Sequence, residues 1–170
     1  MRKRIVCFLI VFLFAVVPSF SSAITFQIIQ HDSVQSEIRN ASYVVENTLF
    51  DYFFEHGYIV TNSQSISTFD DISDKEITYS ALGDAEEGQC TYMVAIIIEY
   101  DTTRSFNPNA TVLSNIKEIK WSLYNVSSGA LMKKGSRNPG TVNSKRDNEN
   151  GIKNFTRQIA DDIFSCLKRR

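Results

Sequence analysis

The chain has 170 residues, 43% of them hydrophobic, with 18 basic residues against 19 acidic ones and three cysteines. That charge balance carries no electrostatic footprint for nucleic acid, and the length is that of one ordinary domain able to bury a core. No internal repeat or low-complexity tract interrupts it.

The first 23 residues read as an export leader. Arg2, Lys3 and Arg4 form a basic start, Ile5 to Val17 is almost wholly apolar, and Ser21-Ser22-Ala23 puts small residues where a signal peptidase reads. The apolar run is short for a membrane span, which needs roughly 20 residues. Cleavage before Ile24 is the expectation, with retention as an N-terminal anchor the alternative. Residues 24–170 then form a single α/β domain, periplasmic or secreted. Three cations leave with the leader, so 15 basic residues face 19 acidic ones and the net charge becomes −4. Two cysteines remain, Cys90 and Cys166. In an oxidising compartment an even pair reads first as a disulfide, here tying the start of a central strand to the last helix. Two buried thiols are the alternative.

Ile24 to Gln30 predicts a short strand. Asp32 resembles an N-cap, with Gln35 completing a capping box. The helix that follows carries Ile38, Ala41, Val45, Leu49 and Tyr52 on one stripe and ends at Gly57, suited to a left-handed C-terminal position. Tyr58 to Thr61 is a second strand. Strand, helix and strand in succession favour a right-handed crossover and a parallel pair. Between Ser63 and Gln89, the spacing of Ile77, Ala81, Leu82 and Ala85 permits one short helix ending by Gly88.

"TYMVAIIIEY" is an apolar run of the kind found in a sheet centre with both faces covered. Thr102 to Ala110 is loop. Ile119, Trp121 and Leu123 alternate with Lys120, Ser122 and Tyr124 in a strand that turns at Asn125 and Gly129 and returns over Ala130 to Lys134. A polar loop leads to a helix over Glu149 to Leu167 that buries Ile152, Phe155, Ile159, Ile163 and Cys166. The terminal cations Lys168, Arg169 and Arg170 suit its negative end. The order is β-α-β-(α)-β-β-β-α: one mixed sheet of about five strands, packed by a long N-terminal and a C-terminal helix.

"WSLYNVSSGALMKKG", with its tight Asn-x-x-Ser-Gly turn ahead of a C-terminal helix, resembles the TolB N-terminal-like domains of bacterial envelopes. That group includes the LpoB-like activators of penicillin-binding proteins and the CsgG-like modules of curli assembly. "LFDYFFEHGYIVTNSQSI" and "CTYMVAIIIEY" extend the likeness over most of the chain after the leader. The resemblance implies a partner-binding module without an active site: an accessory factor in cell-wall synthesis, secretion or outer-membrane assembly, with a protein partner in the envelope.

The residue inventory agrees with that implication. His31 and His56, the only histidines, are placed at opposite ends of one long helix, too far apart to share a metal or a relay. Asp70, Asp71, Asp74 and Glu76 lack the alternating oxygens and bend glycine of a calcium loop. No serine sits in a nucleophile elbow and no Gly-rich loop could cradle phosphate. No catalytic residue, metal or cofactor is therefore expected. The N-x-Ser/Thr sequons at Asn40, Asn109, Asn125 and Asn154 are read as products of composition. The first helix carries a second apolar stripe, Tyr43, Phe50 and Phe54. It is either covered by a neighbouring layer or exposed for a partner, a second copy or an apolar ligand. A small carrier of lipid or another apolar ligand is thus the alternative function. Nothing in the pattern sets the oligomeric state.

Overall fold

The computed structural model describes residues 22–68, 71–103 and 105–168; residues 1–21, which make up most of the expected leader, lie outside them, as do Asp70, Arg169 and Arg170. The chain runs β1 (Ala23–His31), α1 (Asn40–Glu55), β2 (Ile59–Asn62), β3 (Ile66–Thr68), α2 (Asp71–Glu87), β4 (Tyr92–Tyr100), a 3-10 turn (Leu113–Asn115), β5 (Ile116–Asn125), β6 (Ala130–Arg137) and α3 (Glu149–Leu167). One mixed six-stranded sheet results, in the order β2-β1-β4-β5-β6, with β3 also beside β1. The α+β class expected from the sequence is thus the fold found, with one strand more.

Strand β1 is buried along Ile24–Gln30, its polar Thr25, Gln27 and Gln30 included, because it has a neighbour on each side. β4 pairs with it in parallel along eight residues, while β2 and β3 share its other edge, also in parallel. The two edge pieces are separated where the loop steps out of register. Ser63 N donates to the Phe26 carbonyl at 3.0 Å and Gln27 Nε2 donates to the Gln64 carbonyl at 2.9 Å, so the edge stays tied across the gap. Strands β5 and β6 are antiparallel additions on the far side.

Alternation along each strand sorts the core into two layers. Ile24, Phe26 and Ile28 of β1, Val94, Ile96 and Ile98 of β4, and Ile119, Trp121 and Leu123 of β5 form the main core with α1 and α3. On the opposite face Met93 and Ala95 meet Ala81 and Ala85 of α2, with Val126 from the hairpin. Helix α2 has few and small apolar positions, and it begins well before Ile77, so its sequence signal is weak.

The expected capping box is not the start of α1. Asp32 closes β1 instead: its carboxylate accepts from the Val34 amide at 2.9 Å and forms a buried ion pair with Arg39. Arg39 also donates to the Pro108 carbonyl at 2.5 Å and lies over the Tyr100 ring, 5.1 Å from its centre. Helix α1 therefore starts after this anchor, at Asn40. His31 consequently ends β1, not α1, and its Nε2 lies 2.7 Å from Asp74 of α2, whereas His56 caps α1. The two histidines therefore end different elements and are not the two ends of one helix, where the sequence pattern places them.

Candidate interaction surface

The inner side of α1 is fixed by packing. Val45, Leu49 and Phe53 are fully buried, and the Phe53 ring centre lies 5.4 Å from that of Phe26. The side facing α3 is pinned by a hydrogen bond from Tyr52 to Asp161 at 2.5 Å, and His56 stacks on Tyr52 at 4.3 Å. Burial, and then the neighbouring Asp161 carboxylate, push the Tyr52 hydroxyl up to about 12. Toward the sheet edge, Asn62 of β2 donates to Glu46 at 2.8 Å. The helix ends as expected at Gly57, whose φ of +83° glycine adopts without strain.

On this rigid support the second stripe faces outward. Phe54 is 74% exposed and Tyr43 46%, while Phe50 is half-buried with its ring centre 5.9 Å from that of Phe26. Asn47, Asp51 and Glu55 beside it are exposed. Helical spacing puts Tyr43, Phe50 and Phe54 along one side of α1, with the exposed Asn47 between Tyr43 and Phe50, so the line is interrupted by one polar side chain and anchored at Phe50.

The hairpin performs turn mechanics. Asn125 Oδ1 accepts from Ser128 N at 3.1 Å, Ser128 Oγ at 2.8 Å and Ser127 Oγ at 2.9 Å, and Gly129 supplies φ of +63°. Gly135 lies in β6 against the Trp121 ring, at a distance that leaves no room for a Cβ.

The expected Cys90–Cys166 disulfide is not formed; both thiols are free. The sheet separates them. Cys90 packs beside the α2 layer and lies 3.6 Å from Thr61 Oγ1, whereas Cys166 packs at the α3 layer and donates to the Asp162 carbonyl at 3.2 Å. Cys166 does have the core-facing phase read from the sequence, but the two-sided sheet puts the other thiol in the opposite layer.

Sequence reasoning missed the polar knot at the end of β1. Gln30 accepts from the Arg39 amide at 2.8 Å and from Ser42 Oγ at 2.9 Å, and Ser42 meets the Tyr100 hydroxyl at 2.9 Å. Burial raises the Tyr100 hydroxyl well above its ordinary value. Also missed was an open cleft of about 600 Å³ between the loops that contain Phe106 and Pro139, with Asp101, Ser114 and Asp147 on its wall. Asp147 is already satisfied by the Ser114 amide and hydroxyl, each at 2.8 Å. Among the described residues no group of three His, Cys, Asp or Glu side chains converges as a metal site, and no helix is long and apolar enough to cross a membrane.

This geometry defines a three-layered α/β/α domain of the architecture seen in a PelC subunit. The PelC dodecamer from Paraburkholderia phytofirmans matches at a TM-score of 0.51 and 14% identity, over 88% of this chain and 89% of that one. TolB from Acinetobacter baumannii matches at 0.46 and 15%, over 89% of this chain and 29% of that one. The LpoB C-terminal domain from Salmonella enterica matches at 0.41 and 10%, over 74% and 87%. Shared fold is what the PelC likeness shows. The chain belongs to the family described as "Uncharacterised protein", whose model matches residues 23–168. A search of curated proteins finds no match.

Proposed function

We propose that this chain is an exported, non-catalytic interaction module of the bacterial envelope that serves as an accessory factor and binds a protein partner through Tyr43, Phe50 and Phe54. The observation that carries the reading is Phe54: a large aromatic side chain 74% exposed on a helix held rigid from beneath. Rigid aromatic anchors beside near-neutral polar neighbours are the usual core of a protein interface. Helix α1 loses little conformational freedom on binding, because its other sides are already packed against β1, β2 and α3.

The names of similar structures support the envelope setting. They include LpoB, TolB and a lipoprotein from Neisseria meningitidis. An apolar-ligand carrier needs a cavity between α1 and the sheet. Phe26, Val45, Leu49 and Phe53 fill that space without exposure, so the packing favours the interaction reading.

The test is affinity capture from native envelope extract with the leader-less chain and with its Phe54→Asp variant. A specific protein retained by the former and lost by the latter is the expected result. Retention of the same proteins by both would remove α1 from the interface. Extraction of the purified chain into organic solvent, followed by mass spectrometry, should recover no stoichiometric lipid.

A further inference from the structure

Charge is divided along this chain as sharply as it is balanced overall. Residues 24–103 hold 14 carboxylates and only two basic residues, Arg39 and Lys75, whereas residues 104–170 hold 13 basic residues and five carboxylates. For the 13 carboxylates of the first part and the ten basic residues of the second that lie among the described residues, the topology turns that division into space. β1, β2, β3 and β4 with α1 and α2 occupy one side of the molecule, and β5, β6 and α3 the other. One edge of the sheet is therefore acidic and the opposite edge basic.

Exposed charge lies on β6 itself at one edge and beside the strands at the other, where β2 and β3 carry no charged residue and the carboxylates stand on α2. Glu76 and Asp84 of α2 are exposed and flank the edge loop at Ser63, Gln64 and Ile66. On β6, Lys133 and Lys134 are exposed. None of these four takes part in an ion pair among the described residues, in contrast to Lys117 and Lys120, which pair with Glu99, and Arg137, which pairs with Asp162. Apolar side chains accompany the charges, with Ile59 56% exposed on the acidic edge and Leu131 49% exposed on the basic one.

Lysines on an edge strand ordinarily guard it against pairing. Here they guard against only one kind of pairing, β6 with β6, because the other edge of the same molecule carries the opposite sign. Strand direction agrees. β6 is antiparallel to β5, β5 is antiparallel to β4, and β4 runs with β1 and β2. A second copy in the same orientation thus offers β2 parallel to β6.

We propose that the chain assembles head to tail with copies of itself, the basic β6 edge of one copy docking on the acidic β2–β3 edge of the next. Such a contact uses two different patches and leaves a free edge at each end, so it propagates beyond a dimer into a ring or an open array. It uses neither Tyr43 nor Phe54 and stands apart from the partner surface proposed above.

Sedimentation velocity of the leader-less chain over a range of concentrations tests this. At low ionic strength the wild type should form species larger than a dimer that grow with concentration, and at high salt these should fall to monomer. Lys133→Glu/Lys134→Glu and Glu76→Lys/Asp84→Lys should each be monomeric at low salt, with unchanged circular dichroism because all four positions are exposed. An equimolar mixture of the two variants should assemble again, since every edge of one then faces the opposite charge on the other. A wild type that stays monomeric or stops at a dimer would overturn the proposal. So would variants that assemble as the wild type does, or a mixture that fails to assemble.

Discussion

Truncating Phe54 and Leu49 to alanine, two positions five residues apart on one helix, separates surface from core. Leu49 has no exposure and touches the main core, so Leu49→Ala removes transfer free energy and leaves a cavity, a loss of about 2–5 kcal/mol. Phe54 keeps 74% of its surface in water. About a quarter of the 1.5–3 kcal/mol for a fully buried large side chain is roughly 0.4–0.8 kcal/mol, with no cavity to add. Helix propensity offsets part of even that, since alanine is the better helix former. Urea denaturation followed by circular dichroism measures both variants, and equal slopes would confirm that the denatured states are comparable. The expected result is a shifted midpoint for Leu49→Ala and a nearly unmoved one for Phe54→Ala. A loss above about 2 kcal/mol for Phe54→Ala would mean that α1 is covered on this side too, and the interaction surface would have to be abandoned.

Other consequences follow from single contacts. A Cβ at Gly135 would stand 2.7 Å from the Trp121 ring, so Gly135→Ala should cost about 1–3 kcal/mol by denaturation, and a neutral result would mean that the ring moves freely. Thiol titration of the denatured, unreduced, leader-less chain should find two free thiols, because Cys90 and Cys166 lie in different layers; none would contradict that arrangement. Burial, and then the bond to Asp161, push the folded Tyr52 hydroxyl up to about 12 from its ordinary 10.0, so the stability tied to its protonated form is fully present below pH 10 and is lost as pH rises through about 12. Tyr52→Phe should therefore remove part of the alkaline fall in stability, and an identical alkaline profile in the variant would refute that assignment. At the acid end, hydrogen bonding from Lys120, outweighing burial, holds the Glu99 carboxyl below its ordinary value. Its cross-strand contribution is present above the ordinary carboxylate range and lost as pH falls through the lowered value, so Glu99→Gln should flatten the acid limb of the stability profile.

Much of this fold was legible because its strongest signals are local. The run Tyr92–Tyr100 had to be central, the stripe of Ala41, Val45 and Leu49 had to be inside, and α3 has the predicted bounds Glu149–Leu167. The hairpin turn at Asn125 and Gly129 could be read because its chemistry lies within five residues. The errors came from long-range competition. Asp32 carries a capping pattern but is claimed by Arg39, seven residues on, and by the closure of β1. β3 is only three residues long and exists because β1 offers it a ladder. The thiols could be paired on paper because cysteine arithmetic does not know which face of a sheet each occupies. At the interaction surface, spacing identified the Tyr43–Phe50–Phe54 line but could not say whether a further layer covers it. That depended on α3 packing beside Tyr52 and not over Phe54.

Site-specific photo-crosslinking in intact cells tests the central claim most directly. A photoreactive phenylalanine at position 54 should yield a discrete heavier adduct with a partner protein, while the same residue at exposed position 153 on α3 should yield none. No adduct from position 54, or the same adducts from both positions, would contradict the assignment of this helix as the recognition surface.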